Sequence, residues 1–258
     1  MKALGLVTLL AACGAQLTTA SNNSQVDASN SDIDAPGGSH HHDGGGGGGG
    51  QQDAPTTTAA CGNGRKLYLA FEGVAITHAA TDSTQNTAAW IGVTTANVPP
   101  FHSGDANRTT EIQTIVDGVK SRLAATPIDV VTTRPASGPY VMVVFGGTNT
   151  VVGSNYSYAT SDHDCGDTVK NDVGWVSDTP SLSYVPDLVI GTVGWGLGLQ
   201  GTSDPNDCMC AWANNCTSAS GACTLSASIA TTTSSNNTTC PNQNPQNEVA
   251  AFSTQFCQ

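Results

Sequence analysis

The sequence predicts an α+β domain over residues 61–258: a mixed, twisted sheet with two main helices and a disulfide-rich, loop-rich C-terminal part. Three observations point to it. Short apolar stretches alternate or are rich in β-branched residues, two longer ones repeat at helical spacing, and six of the eight cysteines in this region fall after Leu199. Lys66 to Glu72 alternates, with Leu67, Leu69 and Phe71 on one face and Tyr68 and Ala70 on the other, as a strand does. Ile112, Ile115, Val116, Val119 and Leu123 then recur at helical spacing, and Thr110-Glu111-Ile112-Gln113 is expected to form a capping box. Ile128–Thr133 and Tyr140–Phe145 are apolar runs separated by Arg134-Pro135-Ala136-Ser137-Gly138-Pro139, which must turn, so two neighbouring strands are expected. Val173–Ser177 is a further strand candidate. The apolar stretch opening at Pro186-Asp187 and running to Leu199 suits a buried helix started by proline. Beyond it the chain reads as loops stapled by cysteines, because it has few apolar residues of its own.

Composition narrows the function. Charged residues make up 11% of the 258-residue chain, well below the ~25% usual in soluble domains. Eight Lys and Arg against 20 Asp and Glu leave a net charge of -12, which repels a phosphate backbone and excludes nucleic acid as a partner. At the N-terminus, Met1 and Lys2 precede the apolar run Ala3–Ala12, too short to cross a bilayer of ~30 Å, and residues 1–12 read as a signal peptide. The run ends in Leu10-Ala11-Ala12-Cys13, which resembles a bacterial lipobox. The resemblance implies a mature chain beginning at a lipidated Cys13, held by several acyl chains. Gly14 in place of an aspartate after that cysteine favours the outer membrane. An ordinary signal peptide cleaved elsewhere is the alternative. Residues 13–60 read as an extended tether: they hold His40-His41-His42, the run Gly44–Gly50, five aspartates and no Lys or Arg. Metal binding by the three histidines is not expected, since ordering such a coil carries its full entropic cost.

The nine cysteines are odd in number, and setting Cys13 aside leaves Cys61, Cys165, Cys208, Cys210, Cys216, Cys223, Cys240 and Cys257. In an exported chain these are expected to pair as disulfides rather than bind zinc. A Cys-x-Cys pair is sterically poor for mutual bonding, so Cys208 and Cys210 should have different partners. The rest of the pairing stays open.

Val189-Ile190-Gly191-Thr192-Val193-Gly194-Trp195-Gly196-Leu197-Gly198-Leu199-Gln200-Gly201 resembles the zinc helix of the metzincin branch of zinc peptidases, H-E-x-G-H-x-x-G-L-x-H, at Gly194, Gly198 and Leu199. Asp207-Cys208-Met209 is similar to the D-x-M element that brings a methionine beneath the metal in compact members of that group. Leu67–Gly73 and the stretches from Thr133 to Gly147 look like surface or secreted myxobacterial proteins of this type. The likeness runs from about Lys66 to Trp212. It implies a metzincin-like fold with Met209 in a methionine turn. It also implies that the two helix histidines fall on Gly191 and Trp195, the general-base glutamate on Thr192 and the third ligand on Gly201. None of the four can serve: glycine has no ligand atom, indole N–H only donates, and a threonine hydroxyl is no substitute for a carboxylate. No metal or cofactor is therefore expected, and Trp195 with the leucines should fill the vacated space. His78, His102 and His163 are the remaining candidates for a rebuilt metal site. Asp162-His163-Asp164-Cys165-Gly166-Asp167 is oxygen-rich but lacks EF-hand spacing, and reads as a polar turn. The first expectation is a monomeric, surface-tethered lipoprotein whose peptidase-like domain is catalytically inactive and binds a peptide or protein. The alternatives are an active zinc endopeptidase with non-standard ligands and a structural adhesin-like module.

Overall fold

The computed structural model describes residues 61, 64–213, 215–233 and 239–258, all within the second of the two units, 1–52 and 53–258, into which the chain divides. The signal peptide, Cys13 and the tether through residue 60 lie outside the described residues. Among the described residues helices and strands mix as an α+β fold should, in two sheets with four α-helices.

The larger sheet has five strands: β1 (Lys66–Ala70), β5 (Asp129–Val131), β6 (Tyr140–Phe145), β7 (Ala159–Ser161) and β8 (Val173–Val176), in the order β5-β1-β6-β8-β7. All neighbours run parallel except β7, the antiparallel edge strand. The smaller sheet, in the order β3-β2-β4, holds β2 (Val74–His78), β3 (Thr87–Ala88) and β4 (Thr95–Val98). Helix α1 spans Arg108–Arg122, α2 Asn149–Val152, α3 Val185–Gly196 and α4 Glu248–Phe256.

The alternation along β1 divides the core in two. Leu67, Leu69 and Phe71 join α1 and α3 residues such as Ile115, Val119 and Val189 on one face. Tyr68 and Ala70 join Ile76, Ala96 and Trp175 beneath the small sheet on the other. With both faces covered, the central strand β6 has all six residues buried, which explains why it reads as an unbroken apolar run. Helix α3 lies across β7 and β8 and against α1, and each of its 12 residues is buried. A helix apolar all round needs such surroundings. Its proline sits in the first turn, where no intrahelical N–H partner is lost.

Two sequence expectations are corrected. β5 and β6 are not neighbours: β1 lies between them, pairing Lys66 with both Asp129 and Tyr140. Both flanking strands run parallel to β1, so the Pro-containing link returns the chain to the starting edge instead of folding a hairpin. The capping box is absent as well. Helix α1 starts at Arg108 with Asn107 as its N-cap, which places Thr110 inside the first turn, and no side chain caps this end.

The four disulfides are Cys61–Cys257, Cys165–Cys240, Cys208–Cys223 and Cys210–Cys216. Cys208 and Cys210 do take different partners. Arg65 closes the domain beside the first of these bridges. Its guanidinium is fully buried, donates to both Asp167 oxygens at 2.9 and 2.6 Å and to Gln255 O, and lies 5.0 Å from the Phe256 ring centre. No helix among the described residues is long and apolar enough to cross a membrane.

Candidate functional site

The site is built where α3 meets the edge strand β7 and the chain that follows α3. After the helix, Gly198 turns the backbone at φ +82°, a conformation that favours glycine, and a Cβ there would also press on Asp164 O at 2.7 Å. The chain then passes Gly201 and returns under α3 through Asp207-Cys208-Met209. Asp207 Oδ1 fixes this return by accepting from Met209 N and from Thr202 Oγ1, both at 2.9 Å. Met209 is fully buried, with its Sδ 2.7 Å from where a Gly194 Cβ would stand. The methionine thus packs under the helix at a point where only glycine leaves room for it.

Each of the four positions that the resemblance aligns with ligands or base, Gly191, Thr192, Trp195 and Gly201, is occupied in a defined way. A Cβ on Gly191 would stand 2.2 Å from the Trp212 ring, so the indole of a short 3₁₀ turn, Cys210–Trp212, covers this position. Thr192 Oγ1 donates to Leu188 O at 2.7 Å, which holds its hydroxyl in the helix. Trp195 is 3% exposed and stacks on His163, with ring centres 3.7 Å apart and planes at 15°. A Cβ on Gly201 would lie 2.7 Å from the Ala213 backbone, which cannot yield as a flexible side chain would. The sequence expectation named Trp195 and the leucines as the filling; the geometry assigns the larger share to Trp212 and the Ala213 backbone.

None of the three glutamates stands at the helix. Glu72 pairs with Arg108, Glu111 with His102 at 2.7 Å, and Glu248 accepts from Ser226 N and Gln246 Nε2. Burial, with Asp207 adjacent, pushes Glu248 up to about 8. His78, His102 and His163 do not converge. His78 Nδ1 contacts Ile91 O and His102 bridges Glu111 and Asp178 O, whereas His163 stays beside Leu199 O. The Asp162–Asp167 segment spends its oxygens on protein donors: Asp162 on Thr81 Oγ1, Asp164 on Thr168 and Val169, Asp167 on Arg65 and Lys170. It is the polar turn expected, tied by Cys165. Nearby, Asp172 Oδ1 is buried without a hydrogen-bond partner among the described residues. Burial, reinforced by Asp162, Asp164 and Asp167, raises the Asp172 carboxyl well above the usual range.

Over the filled positions lies a cleft of about 170 Å³, floored by α3 and walled by β7. Tyr156, Tyr158, Tyr184, Leu188, Trp195 and Trp212 contribute most of its bulk, and no charged residue lines it. Ser161 Oγ donates to Thr192 O at 2.9 Å and fastens the edge strand to the helix. Sequence reasoning missed the tyrosines and Trp212. The available signal was weak: Tyr156 and Tyr158 stand two apart in a Ser-rich segment, and they are the exposed large hydrophobic residues of the described chain.

No protein-family model matches the chain, and no curated protein is similar to it.

Proposed function

We propose that this domain is a peptide- or protein-binding module built on a metzincin-like scaffold whose zinc chemistry has been lost. In this reading it is displayed outside the cytoplasm on a lipid-anchored tether. The observation that carries it is the packing of Trp212 over Gly191 and of the Ala213 backbone against Gly201, in a molecule that still has a cleft between an edge strand and the helix above a buried methionine. The antiparallel position of β7 supports the scaffold assignment, and the four disulfides fit an oxidising compartment.

The cleft chemistry favours an uncharged, extended segment. The outer edge of β7 offers backbone groups for strand addition, and the aromatic lining offers apolar contact. Titration with a library of extended, uncharged peptides, followed by tryptophan fluorescence, tests it. Saturable binding is expected in the full chain, weakened when Tyr156→Ala and Tyr158→Ala are combined, because both rings are exposed and removable without opening the core. Absence of binding across the library, or binding indifferent to the double substitution, contradicts the proposal and favours a structural adhesin-like module.

A further inference from the structure

His163, Cys165 and Cys240 lie together beside Trp195, on whose ring His163 stacks. One ligand atom from each, a ring nitrogen of His163 and the two sulfurs, falls within 4.8 Å of the others, and no other such group of three occurs among the described residues. The sulfurs are joined as the Cys165–Cys240 disulfide. A bridged sulfur is not a thiolate, so the oxidised protein has no soft ligand set here. His163 Nε2 is 3.4 Å from Cys240 Sγ. With Zn–N near 2.0–2.1 Å and Zn–S near 2.3 Å, a tetrahedral site places its nitrogen and sulfur ligands about 3.5 Å apart. One edge of such a site is therefore already set.

We propose that reduction of the Cys165–Cys240 bridge opens a zinc(II) site made by His163 Nε2, Cys165 Sγ and Cys240 Sγ, so that the pair acts as a redox-gated metal site. The reductant is a dithiol. Its thiolate attacks Cys165, whose side of the bridge is exposed, forming a mixed disulfide and releasing Cys240 as a thiolate beside His163. The second thiol of the reductant then attacks the mixed disulfide, leaves as a cyclic disulfide and frees Cys165. Two electrons pass from the dithiol to the bridge, and its two protons go to the cysteines. Zinc binding displaces those two protons.

The surroundings suit this use. The His163 imidazole is half-buried beside Cys240. Stacking on Trp195 fixes its plane. Nε2 also lies 3.2 Å from Leu199 O, and ligation exchanges that contact for the metal. Three protein ligands leave a fourth position for water.

The experiment treats the full chain with graded dithiothreitol, removes the reductant under anaerobic conditions and titrates cobalt(II) as a spectroscopic stand-in for zinc. The expected result is one cobalt per reduced chain with thiolate-to-cobalt charge-transfer absorption and a change in Trp195 fluorescence, all absent from the oxidised chain. The charge-transfer band separates this site from any cobalt held by histidines alone. Combined Cys165→Ser and Cys240→Ser should abolish the band, and combined Cys61→Ser and Cys257→Ser should leave it in place. His163→Ala should weaken binding by more than the ~10–100-fold typical of losing an outer-shell partner. A reduced wild-type chain without the band overturns the proposal. So does a band that survives His163→Ala unchanged, which would mean loose thiols rather than a built site.

Discussion

Gly191 stands in the middle of a buried helix, where alanine ordinarily gains about 1 kcal/mol over glycine. Here the added methyl meets the Trp212 ring. Gly191→Ala is accordingly expected to destabilise the domain by ~1–3 kcal/mol in denaturant titration, and pairing it with Trp212→Leu should recover part of the loss. A stabilised Gly191→Ala would mean that the indole does not cover this position. Glu248 provides a second test at this scale. Its folded-state pKa of about 8 lies above the ordinary carboxylate value, so its contribution is complete in acid and is lost as pH rises through about 8. Thermal stability should decline as pH rises from the ordinary carboxylate value to about 8 in the wild type and level off above it, and Glu248→Gln should flatten that decline. In the sequence, Gly194, Gly198 and Leu199 set the frame of the resemblance in which Gly191, Thr192, Trp195 and Gly201 stand where ligands and base are expected. What covers these positions was not legible there, since nothing local ties Trp212 to a glycine 21 positions earlier.

At the scale of elements, legibility followed two-sided burial. β1, β6, β8 and α3 stand out because each is apolar enough to be enclosed, and the two-faced alternation of β1 correctly divides the residues of the two core clusters. β2, β3 and β4 escaped notice because they are short and carry small or polar residues, with Ile76 and Val98 as their main apolar bulk. Helix α4 was hidden in a segment that reads as loop, although Asn247 caps it by accepting from Ala250 N. The order of β5 and β6 around β1 depends on a non-local pairing that two adjacent apolar runs do not specify. Arg65 joins these elements: its buried pair with Asp167 links the start of β1 to the polar turn, and its bonds to Gln255 O hold α4. Arg65→Met leaves Asp167 buried with only Lys170 as partner, and is expected to cost ~3–5 kcal/mol in unfolding free energy. Adding Asp167→Asn should return part of that loss. A cost below about 1 kcal/mol for the single substitution would make the pair no more than a surface bridge.

For the whole molecule, the proposal joins a tethered display to a closed catalytic site. Cys13→Ser should shift the protein from the membrane fraction to the soluble one or block its processing, as judged by fractionation and by mass spectrometry of the N-terminus. An unmodified N-terminus further along the chain would remove the anchor from the account while leaving the domain reading intact. The closed site is the central claim, and metal content with peptidase activity tests it most directly. The full chain, purified without reductant and dialysed, is assayed for zinc and for cleavage of a broad peptide library with and without chelator. Substoichiometric zinc and no chelator-sensitive cleavage are predicted, because Trp212 and the Ala213 backbone cover two of the positions the proposal assigns to ligands, Trp195 stands at the third, and the Thr192 hydroxyl is bonded within its own helix. One tightly held zinc per chain together with chelator-sensitive cleavage would contradict the account and establish an active endopeptidase with non-standard ligands.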